Sequence, residues 1–433
     1  MSIGGLIRRN AYWTVDIMKG SPIRKHYSNI KNILNNHETI KSHQELYLNK
    51  LLEHATSYSE FYNTCNSQKI ENFPVVNKQI LRDNYKKILV DIAHVPWQIN
   101  EYHIQRTSGS TGTPLIVPQD VRKRNRVLAE LKVFGEFAGY NSHEKLLHAR
   151  ILTRRHIKSR RQILRENIFP VDCTNIKDEN FKIICDLIKK KNISAILGYS
   201  SWFDPFIEYI KKHSISINSI KAVIAGSEFL PPETRQKIIT TLSCNVVSRY
   251  SNEEQGILAQ EGINNDFFSL NHASYYFEFL KLDSDEHAMP GEVSRIVITD
   301  LFNYAFPLIR YDTGDTGVFS YRNSNDIKTP VIKRIHGRLI DLLFDTEGNP
   351  IHPMVLSRII KYYDEVQEWQ FIQKEYNLFV LRLKVSSPFD YSECVNQIKL
   401  KIGENSEIKV EIVSEIPLLS SGKRKPIICE LKK

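Results

Sequence analysis

Apolar residues recur at the spacing of an α-helix in the first part of the chain. They stand at Leu46, Leu48, Leu51, Leu52 and Ala55. The pattern predicts helices between about residues 43 and 92, with a turn at 73–78. Residues 1–100 are therefore expected to form a helical lead-in. A further helix is predicted over residues 121–140, with its end at Gly139.

Short apolar runs alternate with helical patterns between residues 181 and 262. The predicted strands are 195–197, 222–225 and 245–248, and the predicted helices are 181–191, 203–213 and 233–242. Strands that alternate with helices form a parallel sheet. Ligands bind such a sheet at the carboxyl ends of its strands, where the loops 199–201, 226–228 and 250–254 follow. We therefore expect these three loops to converge on one site.

The pattern changes twice more before the end of the chain. Between residues 267 and 335 it predicts strands and turns, and hence an antiparallel, barrel-like subdomain. From residue 337 onward it predicts a small α+β domain. The expected fold class is α/β. A large N-terminal domain at 1–336, with parallel α/β sheets and the barrel-like subdomain, is followed by a small, mobile C-terminal lid at 337–433.

Composition is that of an ordinary globular protein. The chain has 433 residues, of which 41% are hydrophobic and 25% charged. No apolar stretch approaches the roughly 20 residues of a membrane span. The first residues lack the apolar core and cleavage site of a secretory signal. We therefore expect a cytoplasmic protein without a transmembrane segment.

The N-terminal segment has an apolar helical face that allows two interpretations. Its members are Ile3, Leu6, Ile7, Trp13 and Ile17, with Arg8, Arg9 and Lys19 nearby. A helix packed on the domain is the favoured interpretation. The alternative is a peripheral contact with an anionic membrane surface.

The charge balance suits anionic ligands. Lysine and arginine number 59 against 49 acidic residues, a formal net charge of +10, which favours nucleotides, CoA, sugar acids or lipid surfaces. Basic residues crowd the segment 150–165, which is either a solvated helix face or a docking site for a phosphorylated co-substrate. No nucleic-acid signature accompanies it, so a nucleic-acid ligand is not expected. The six cysteines are scattered without metal-ligand spacing.

One loop has the composition of a phosphate site. The run 106–114 reads Arg-Thr-Ser-Gly-Ser-Thr-Gly-Thr-Pro. Its glycines let backbone N–H groups turn inward, and its hydroxyls add hydrogen-bond donors. The candidate phosphate-binding residues are Ser108, Gly109, Ser110, Thr111, Gly112 and Thr113. The Gly-Lys-Ser/Thr ending of a Walker P-loop is absent.

Four further segments follow this loop. They are 250–254 (Tyr-Ser-Asn-Glu-Glu), 307–315 (Pro-Leu-Ile-Arg-Tyr-Asp-Thr-Gly-Asp), 335–341 (Ile-His-Gly-Arg-Leu-Ile-Asp) and 418–423 (Leu-Leu-Ser-Ser-Gly-Lys). In this order, the segments resemble the motif series of the adenylate-forming enzymes, which include acyl-CoA synthetases and the adenylation domains of peptide synthetases. The likeness is strongest to the phenylacetate–CoA ligase branch with its CapK-type capsule proteins. It extends from about residue 46 to the C-terminus.

The resemblance implies ATP and Mg²⁺ as cofactors and assigns roles to residues. Glu254 aligns with the metal-binding glutamate, a hard oxygen ligand suited to Mg²⁺, although Glu253 beside it is a second candidate. The implied adenine and ribose contacts are Gly226, Ser227, Glu228, Tyr250, Ser251, Asp315 and Arg338. The Asp315 carboxylate can accept hydrogen bonds from both ribose hydroxyls. The alternatives are an acid pair that stabilises a helix dipole at 253–254 and a plain buried tyrosine at 250.

The implied catalytic residue is Lys423, because a mobile lysine offsets the charge that develops as the acid attacks the α-phosphate. The lid would rotate about a hinge at Ile340 and Asp341. The chain departs from the family pattern in two places: Thr113 stands where many relatives have a lysine, and Ile340 stands where the hinge is usually acidic. The expected acyl pocket lies near Tyr199, Ser200 and His272.

These assignments predict an ATP-dependent ligase that converts a carboxylate into an acyl-adenylate and transfers the acyl group to CoA or an amine. Polysaccharide biosynthesis with a sugar acid or small acid is favoured, because the basic segment suits a polyanionic glycan. CoA is a co-substrate wherever the product is a thioester. The alternatives are an aryl- or acyl-CoA synthetase of catabolism and, from another class, a basic binding protein without catalysis.

Overall fold

The structure is a computed structural model. It describes residues 3–65, 69–97, 100–106, 115–150, 152, 158–173, 177–263, 265–324, 327–338, 343–348, 350–351, 356, 359–360, 363, 365–417 and 426–431. The helices are α1 (Ile3–Met18), α2 (Pro22–Asn35), α3 (Ile40–Tyr58), α4 (Lys78–Asp83), α5 (Tyr85–Ile88), α6 (Val121–Phe137), α7 (Arg160–Glu166), α8 (Asp178–Lys191), α9 (Ser200–Lys212), α10 (Pro232–Leu242) and α11 (Ser392–Ile402). Short 3-10 turns lie at His37–Thr39, Ile70–Asn72 and Ile92–His94.

The strands of the first two thirds of the chain are β1 (His103–Arg106), β2 (Ile116–Gln119), β3 (Leu146–Arg150), β4 (Ile168–Asp172), β5 (Ala195–Tyr199), β6 (Ala222–Gly226), β7 (Asn245–Asn252), β8 (Gly256–Glu261), β9 (Phe268–Leu270), β10 (Tyr275–Leu280) and β11 (Val293–Asp300). The later strands are β12 (Tyr311–Ser324), β13 (Ile327–Arg338), β14 (Leu343–Phe344), β15 (Pro350–Ile351), β16 (Val366–Gln373), β17 (Leu378–Val385), β18 (Glu407–Ile412) and β19 (Ile427–Cys429).

The lead-in is helical from residue 3 to Tyr58, and its helices then shorten. Asn77 ends the extended stretch after Phe73 by capping α4, since its side chain accepts hydrogen bonds from the N–H groups of Gln79 and Ile80. The predicted helix after the phosphate loop is α6, and the chain leaves it through Gly139 at a φ of +86°. Across the described ranges, no helix has the length and apolar content needed to cross a bilayer.

The strands predicted between residues 195 and 248 form the parallel part of a large mixed sheet. Among the described residues this sheet has eleven strands in the order β10-β11-β12-β13-β9-β8-β7-β6-β5-β3-β4. The strands β4, β3, β5, β6 and β7 pair in parallel. The parallel sheet predicted from the alternating pattern is confirmed.

The antiparallel strands predicted between residues 267 and 335 continue this sheet beyond β7. The junction is β7, which pairs in parallel with β6 on one side and antiparallel with β8 on the other. The chain reverses from β7 to β8 within residues 253–255, so that hydrogen bonding passes from one part to the other without a break. Strands β10 and β4 form the two ends of the order.

Several hydrophobic clusters support the sheet, and two of them bear on the site. One lies between the parallel strands and helices α8–α10, with Trp202, Phe203 and Phe206 of α9 fully buried in it. The other joins the lead-in to β12 and the segment before it, where Phe73 packs with Tyr311. Burial of one such side chain contributes about 1.5–3 kcal/mol. The second core therefore fixes the lead-in against the strand that carries Asp315.

Residues after 343 have a sheet and a core of their own. The sheet has the order β18-β17-β16-β19, and α11 packs on it through Cys394, Ile398 and Ile402. Every member of that core lies at or beyond Leu343. We propose that this unit is the small C-terminal domain and that the division lies at 336–337, a position that the separate core supports.

Candidate active site

Tyr250 and Asp315 meet across the sheet. Tyr250 lies near the end of β7, and Asp315 lies in β12. The Tyr250 hydroxyl donates a hydrogen bond to Asp315 Oδ2 at 2.7 Å and lies 3.3 Å from Thr313 Oγ1. Burial raises the pKa of the Tyr250 phenol well above its ordinary value, and the Asp315 charge adds to this rise. The phenol therefore stays protonated and acts as a donor to the carboxylate.

A short turn within β12 fixes the backbone just before Asp315. Gly314 has a φ of +77°, a conformation that glycine adopts without strain. Asp312 Oδ1 accepts a hydrogen bond from the Gly314 N–H at 2.8 Å, while Arg295 Nη1 donates to Asp312 Oδ2 at 2.8 Å. On the neighbouring strand β13, Arg338 stands opposite Asp315 in the pairing register. Antiparallel pairing thus brings two of the sequence motifs side by side.

Glu254 forms the second centre of the site, in the turn between β7 and β8. Its side chain is 3% exposed. Its Oε1 atom accepts a hydrogen bond from the Tyr311 hydroxyl at 3.0 Å and lies 2.7 Å from Nζ of Lys78. Burial raises the pKa of the Tyr311 phenol well above its ordinary value, and the Glu254 charge acts in the same direction. The Oε1 atom therefore contacts both a neutral donor and a cation.

The Glu254 carboxylate fits a Mg²⁺ that is shared with a nucleotide. The Lys78 ammonium, 31% exposed, shows that a cation is accommodated at Oε1 from the partly open side. In the described part of the chain, no three His, Cys, Asp or Glu side chains form a metal-ligand cluster. Mg²⁺ in nucleotide sites is held by one or two carboxylates, while water and phosphate oxygens complete its shell. One buried carboxylate is enough for that arrangement.

The loops 199–201 and 226–228 meet as the topology predicted. Tyr199 and Gly226 are paired residues at the ends of β5 and β6. The Ser200 hydroxyl donates to the Glu228 carbonyl at 3.0 Å, and the Ser201 N–H donates to Glu228 Oε2 at 2.9 Å. Glu228 therefore joins its loop to the first turn of α9.

The same edge of the sheet also includes Tyr250. Gly226 is paired with Arg249, the residue before Tyr250. Ser227 adopts a φ of +66°, which turns the loop sharply after β6. Burial raises the pKa of the Tyr199 phenol, and nearby charges come from Arg150, Glu228 and Glu253. Tyr199, Ser200, Gly226, Ser227, Glu228 and Tyr250 thus lie at the carboxyl ends of neighbouring parallel strands.

Ser251 and His272 have different surroundings. Ser251 is exposed on β7 and is paired with Ile257 of β8. His272 is buried, with Nε2 3.2 Å from the Pro330 carbonyl and Nδ1 3.4 Å from the Gln44 amide. Those contacts join His272 to the lead-in and to β13, whereas Tyr199 lies at the end of β5. Contacts among the described residues do not bring His272 together with Tyr199 and Ser200.

Several sequence-predicted residues lie outside the described residues. They are Ser108, Gly109, Ser110, Thr111, Gly112, Thr113, Ile340, Asp341 and Lys423. The strands on either side of the phosphate loop form a hairpin in which Arg106 pairs with Ile116. Gln119, at the far end of that hairpin, donates to the Glu254 carbonyl at 3.3 Å. The hairpin that carries the loop is therefore anchored beside Glu254.

Sequence reasoning missed Lys78 and the role of Tyr311. Because Tyr311 lies inside the motif 307–315, its position beside two carboxylates could have been predicted from the sequence. Lys78 had no such signal. It reaches Glu254 because Val76 bridges to β12, where the Val76 N–H donates to the Arg310 carbonyl and the Val76 carbonyl accepts from the Asp312 N–H.

Comparison with known proteins gives a consistent result. Residues 343–430 match the family described as the CapK C-terminal domain. Over 411 residues, the chain is 23% identical to Protein CapK of Staphylococcus aureus, an alignment that covers 90% of this chain and 88% of that protein. The family match covers residues 343–430, and the alignment with Protein CapK shows similarity over most of the chain.

Comparison with solved structures identifies proteins that have the same fold. A 2-hydroxyisobutyryl-CoA ligase in its postadenylation state is similar with a TM-score of 0.69 and 16% identity, over 91% of this chain and 90% of that chain. ATP-bound MatB of Rhodopseudomonas palustris is similar with a TM-score of 0.55 and 15% identity, over 74% and 65%. The O-succinylbenzoate–CoA synthetase of Bacillus subtilis with AMP gives 0.54 and 16%, over 74% and 67%. Residues 343–430 therefore match the CapK C-terminal family, and the chain shares its fold with the 2-hydroxyisobutyryl-CoA ligase.

Proposed function

We propose that the protein is an ATP-dependent ligase that joins a carboxylate to AMP and then transfers the acyl group to CoA or to an amine. The observation that carries the proposal is the hydrogen bond between Tyr250 and Asp315, which lies in one cluster with Tyr311 and Glu254. These residues come from separate motifs, and their convergence fits one nucleotide site.

The ribose end of the site would depend on Asp315. A carboxylate held by the neutral Tyr250 phenol keeps further lone pairs for the two ribose hydroxyls. The loop 226–228 and Tyr250 would border the adenine, because they lie at the ends of adjacent strands. Arg338 stands opposite Asp315 in the register and would approach the same ribose.

The phosphate end would depend on the loop 107–114 and on Glu254. Glu254 would hold Mg²⁺, which supplies charge neutralisation at the triphosphate when it is bound. Lys78 lies 2.7 Å from Oε1 of the same carboxylate, so Mg²⁺ would compete with its ammonium for that oxygen. Lys423 would stabilise the charge that develops at the attacked phosphorus.

Similarity to Protein CapK supports a place in capsular or other surface polysaccharide biosynthesis, with a sugar acid or another small acid as substrate. The loops 199–201 and 226–228 would border the acid, and Arg150 adds a positive charge near Tyr199. A second candidate is an aryl- or acyl-CoA synthetase of catabolism. It is favoured by the fold similarity to a 2-hydroxyisobutyryl-CoA ligase that was solved with CoA.

ATP–pyrophosphate exchange, screened over uronic, aryl and aliphatic acids, tests the proposal. We expect exchange with one class of acid, and product masses after addition of CoA or amines then identify the acceptor. Asp315→Ala should abolish exchange, while Asp266→Ala, a change at an aspartate that is 86% exposed, should leave it unchanged. Absence of exchange and of ATP binding across the panel would favour a binding protein without catalysis.

A further inference from the structure

Helix α1 is attached to the protein through its polar face. Asp16 is buried, and its two carboxylate oxygens accept hydrogen bonds from the N–H groups of Ile23 and Arg24 at the start of α2. Arg9 forms a 3.0 Å ion pair with Glu136 of α6. The Lys132 ammonium lies 3.9 Å from the centre of the Tyr12 ring. Polar and charged contacts therefore fix the orientation of the helix.

Most apolar residues of α1 consequently point away from the protein, whereas Trp13 packs against Tyr27 of α2 with ring centres 5.2 Å apart. Ile3 is 80% exposed, Ile7 63% and Met18 81%, and Leu6 and Ile17 are also exposed. These residues share one side of the helix and form a stripe that is interrupted in the middle by the exposed Asn10 and Thr14. A surface helix normally turns such a stripe to the core. Because α1 has the opposite orientation, its stripe is available to contact a lipid bilayer or another protein.

A second exposed apolar side chain lies beside this stripe. Leu164 of α7 is 63% exposed, and its carbonyl accepts a hydrogen bond from Arg8 Nε at 2.8 Å. The contact joins α7 to α1 directly. Exposed Arg160, Arg161 and Arg165 surround Leu164 on the same short helix. The basic segment noted in the sequence is therefore adjacent to the apolar stripe.

The charges around the stripe are almost all positive. The basic residues within 3–25 and 158–166 are Arg8, Arg9, Lys19, Arg24, Lys25, Lys158, Arg160, Arg161 and Arg165, and the acidic residues are Asp16 and Glu166. Asp16 of α1 is buried against the start of α2, and Glu166 is paired with Lys158. The surface thus combines apolar side chains with a cationic border.

A groove between α1 and α2 extends this surface. It has a volume of about 460 Å³, and its lining includes Leu6, Trp13 and Ile17 together with Arg9 and Arg24. The lining also includes Asn10, Thr14, Tyr27 and Ser28. A mixture of apolar, aromatic, polar and basic side chains suits the boundary between lipid headgroups and acyl chains, where tryptophan is also favoured.

We propose that α1 and α7 form a docking surface for an anionic lipid bilayer, on which α1 lies flat with its stripe inserted. Anionic headgroups match the arginines and lysines, and acyl chains match the isoleucines, leucines and Met18. The bound protein would lie on the bilayer without crossing it. A protein partner would need acidic side chains around an apolar groove, and it is tested below as the competing occupant.

Flotation of the full-length protein with vesicles tests the surface. We expect binding to vesicles of phosphatidylcholine and phosphatidylglycerol in equal parts, little binding to phosphatidylcholine alone, and release at high salt. Ile7→Ser should weaken binding about tenfold to a hundredfold, because the isoleucine side chain would no longer be buried among acyl chains. The matched control is Ile183→Ser, since Ile183 lies on α8 and is 65% exposed.

A second pair of variants tests the basic residues around the stripe. Arg160→Gln with Arg161→Gln should weaken binding about thirtyfold, because each basic residue near an anionic surface strengthens binding about fivefold. Lys190→Gln with Lys191→Gln removes equal charge from exposed positions at the end of α8 and should have little effect.

Three results would overturn the proposal. They are equal binding to both kinds of vesicle, equal binding by Ile7→Ser and Ile183→Ser, and a lipid-free oligomer that Ile7→Ser dissociates while vesicle binding is absent. The last result would assign the stripe to a protein interface. Flotation does not depend on catalysis, so its outcome is independent of whether the chain forms an adenylate.

Discussion

Lys78 Nζ lies 2.7 Å from Oε1 of Glu254, the carboxylate that we propose as the Mg²⁺ ligand. The ammonium and a metal ion would compete for the same oxygen. Lys78→Ala should therefore lower the stability of the nucleotide-free protein by about 1–2 kcal/mol, because a buried carboxylate loses its cation. Mg²⁺ together with ATP should raise the melting temperature of the variant more than that of the wild type. Thermal unfolding with ATP alone, and with ATP and Mg²⁺, measures both effects.

A matched control exists on the surface. Lys212 forms a 3.0 Å ion pair with Asp178, in which both side chains are largely exposed. Lys212→Ala should change neither the stability nor the response to Mg²⁺, because exposed pairs contribute little. An identical metal response in the wild type and Lys78→Ala would exclude Glu254 as the ligand.

Tyr250→Phe should impair ATP use through Asp315. The variant keeps the ring but removes the hydroxyl that donates to Oδ2 at 2.7 Å. A hydrogen bond to a charged group contributes about 1.5–3 kcal/mol, so kcat/KM for ATP should fall about tenfold or more. Steady-state kinetics with ATP and with 2′-deoxy-ATP give the measurement. Replacing ATP with 2′-deoxy-ATP should lower kcat/KM less in Tyr250→Phe than in the wild type, because the mutation and the missing ribose hydroxyl weaken the same interaction.

Tyr140→Phe provides the comparison for this prediction. Tyr140 is also a buried tyrosine, and its hydroxyl donates to the Glu144 carbonyl at 3.3 Å. The change should leave the ratio of the rates with ATP and 2′-deoxy-ATP unaltered. If the two losses simply added in Tyr250→Phe, the hydroxyl would have no part in ribose binding.

Local periodicity was sufficient to predict the parallel strands and the loops that meet at their ends. Strands β5, β6 and β7 start at the predicted residues, because short buried strands between amphipathic helices have few alternative arrangements. The continuity of the antiparallel strands with this sheet was not predictable. It depends on the partner that β7 takes on its second side, which no local pattern specifies.

Within the motif 307–315, sequence alone could not separate structural from functional residues. Arg310 is buried at a φ of +48°, its guanidinium contacts both oxygens of Glu278, and Nη1 donates to the Phe73 carbonyl. It therefore fixes the lead-in to the sheet. Asp315, five positions later, has the polar surroundings of a ligand site. The two roles become distinct only through contacts between distant segments.

Acid should destabilise the fold through its buried histidines. Burial lowers the pKa of His272 to about 4 from an ordinary value of 6.5, so the unfolded chain takes up a proton that the folded chain does not. Stability is therefore intact above about pH 6.5 and is lost as the pH falls toward 4. The loss from this group alone approaches about 3 kcal/mol. Burial also lowers the pKa of His143 and His336 to about 4.

Urea unfolding at pH 7.5 and at pH 5 measures the effect. His272→Gln should reduce the difference between the two free energies of unfolding, since glutamine has no proton to take up. His287→Gln, at an exposed position, should keep the wild-type difference. A wild-type protein equally stable at both pH values would contradict the prediction.

Lys423→Ala should separate catalysis from binding. Lys423 lies outside the described residues, and its role follows from the segment Leu-Leu-Ser-Ser-Gly-Lys that ends with it. A lysine that meets the phosphate only as charge develops contributes to the transition state and little to ATP binding. We expect ATP–pyrophosphate exchange to fall on the order of a hundredfold to a thousandfold, while the Kd for ATP from calorimetry changes little. Lys425→Ala, two positions later in the same basic tail, should retain exchange. Equal losses in both variants would indicate that the tail acts through its general positive charge, and a large rise in Kd would assign Lys423 to the binding of ATP.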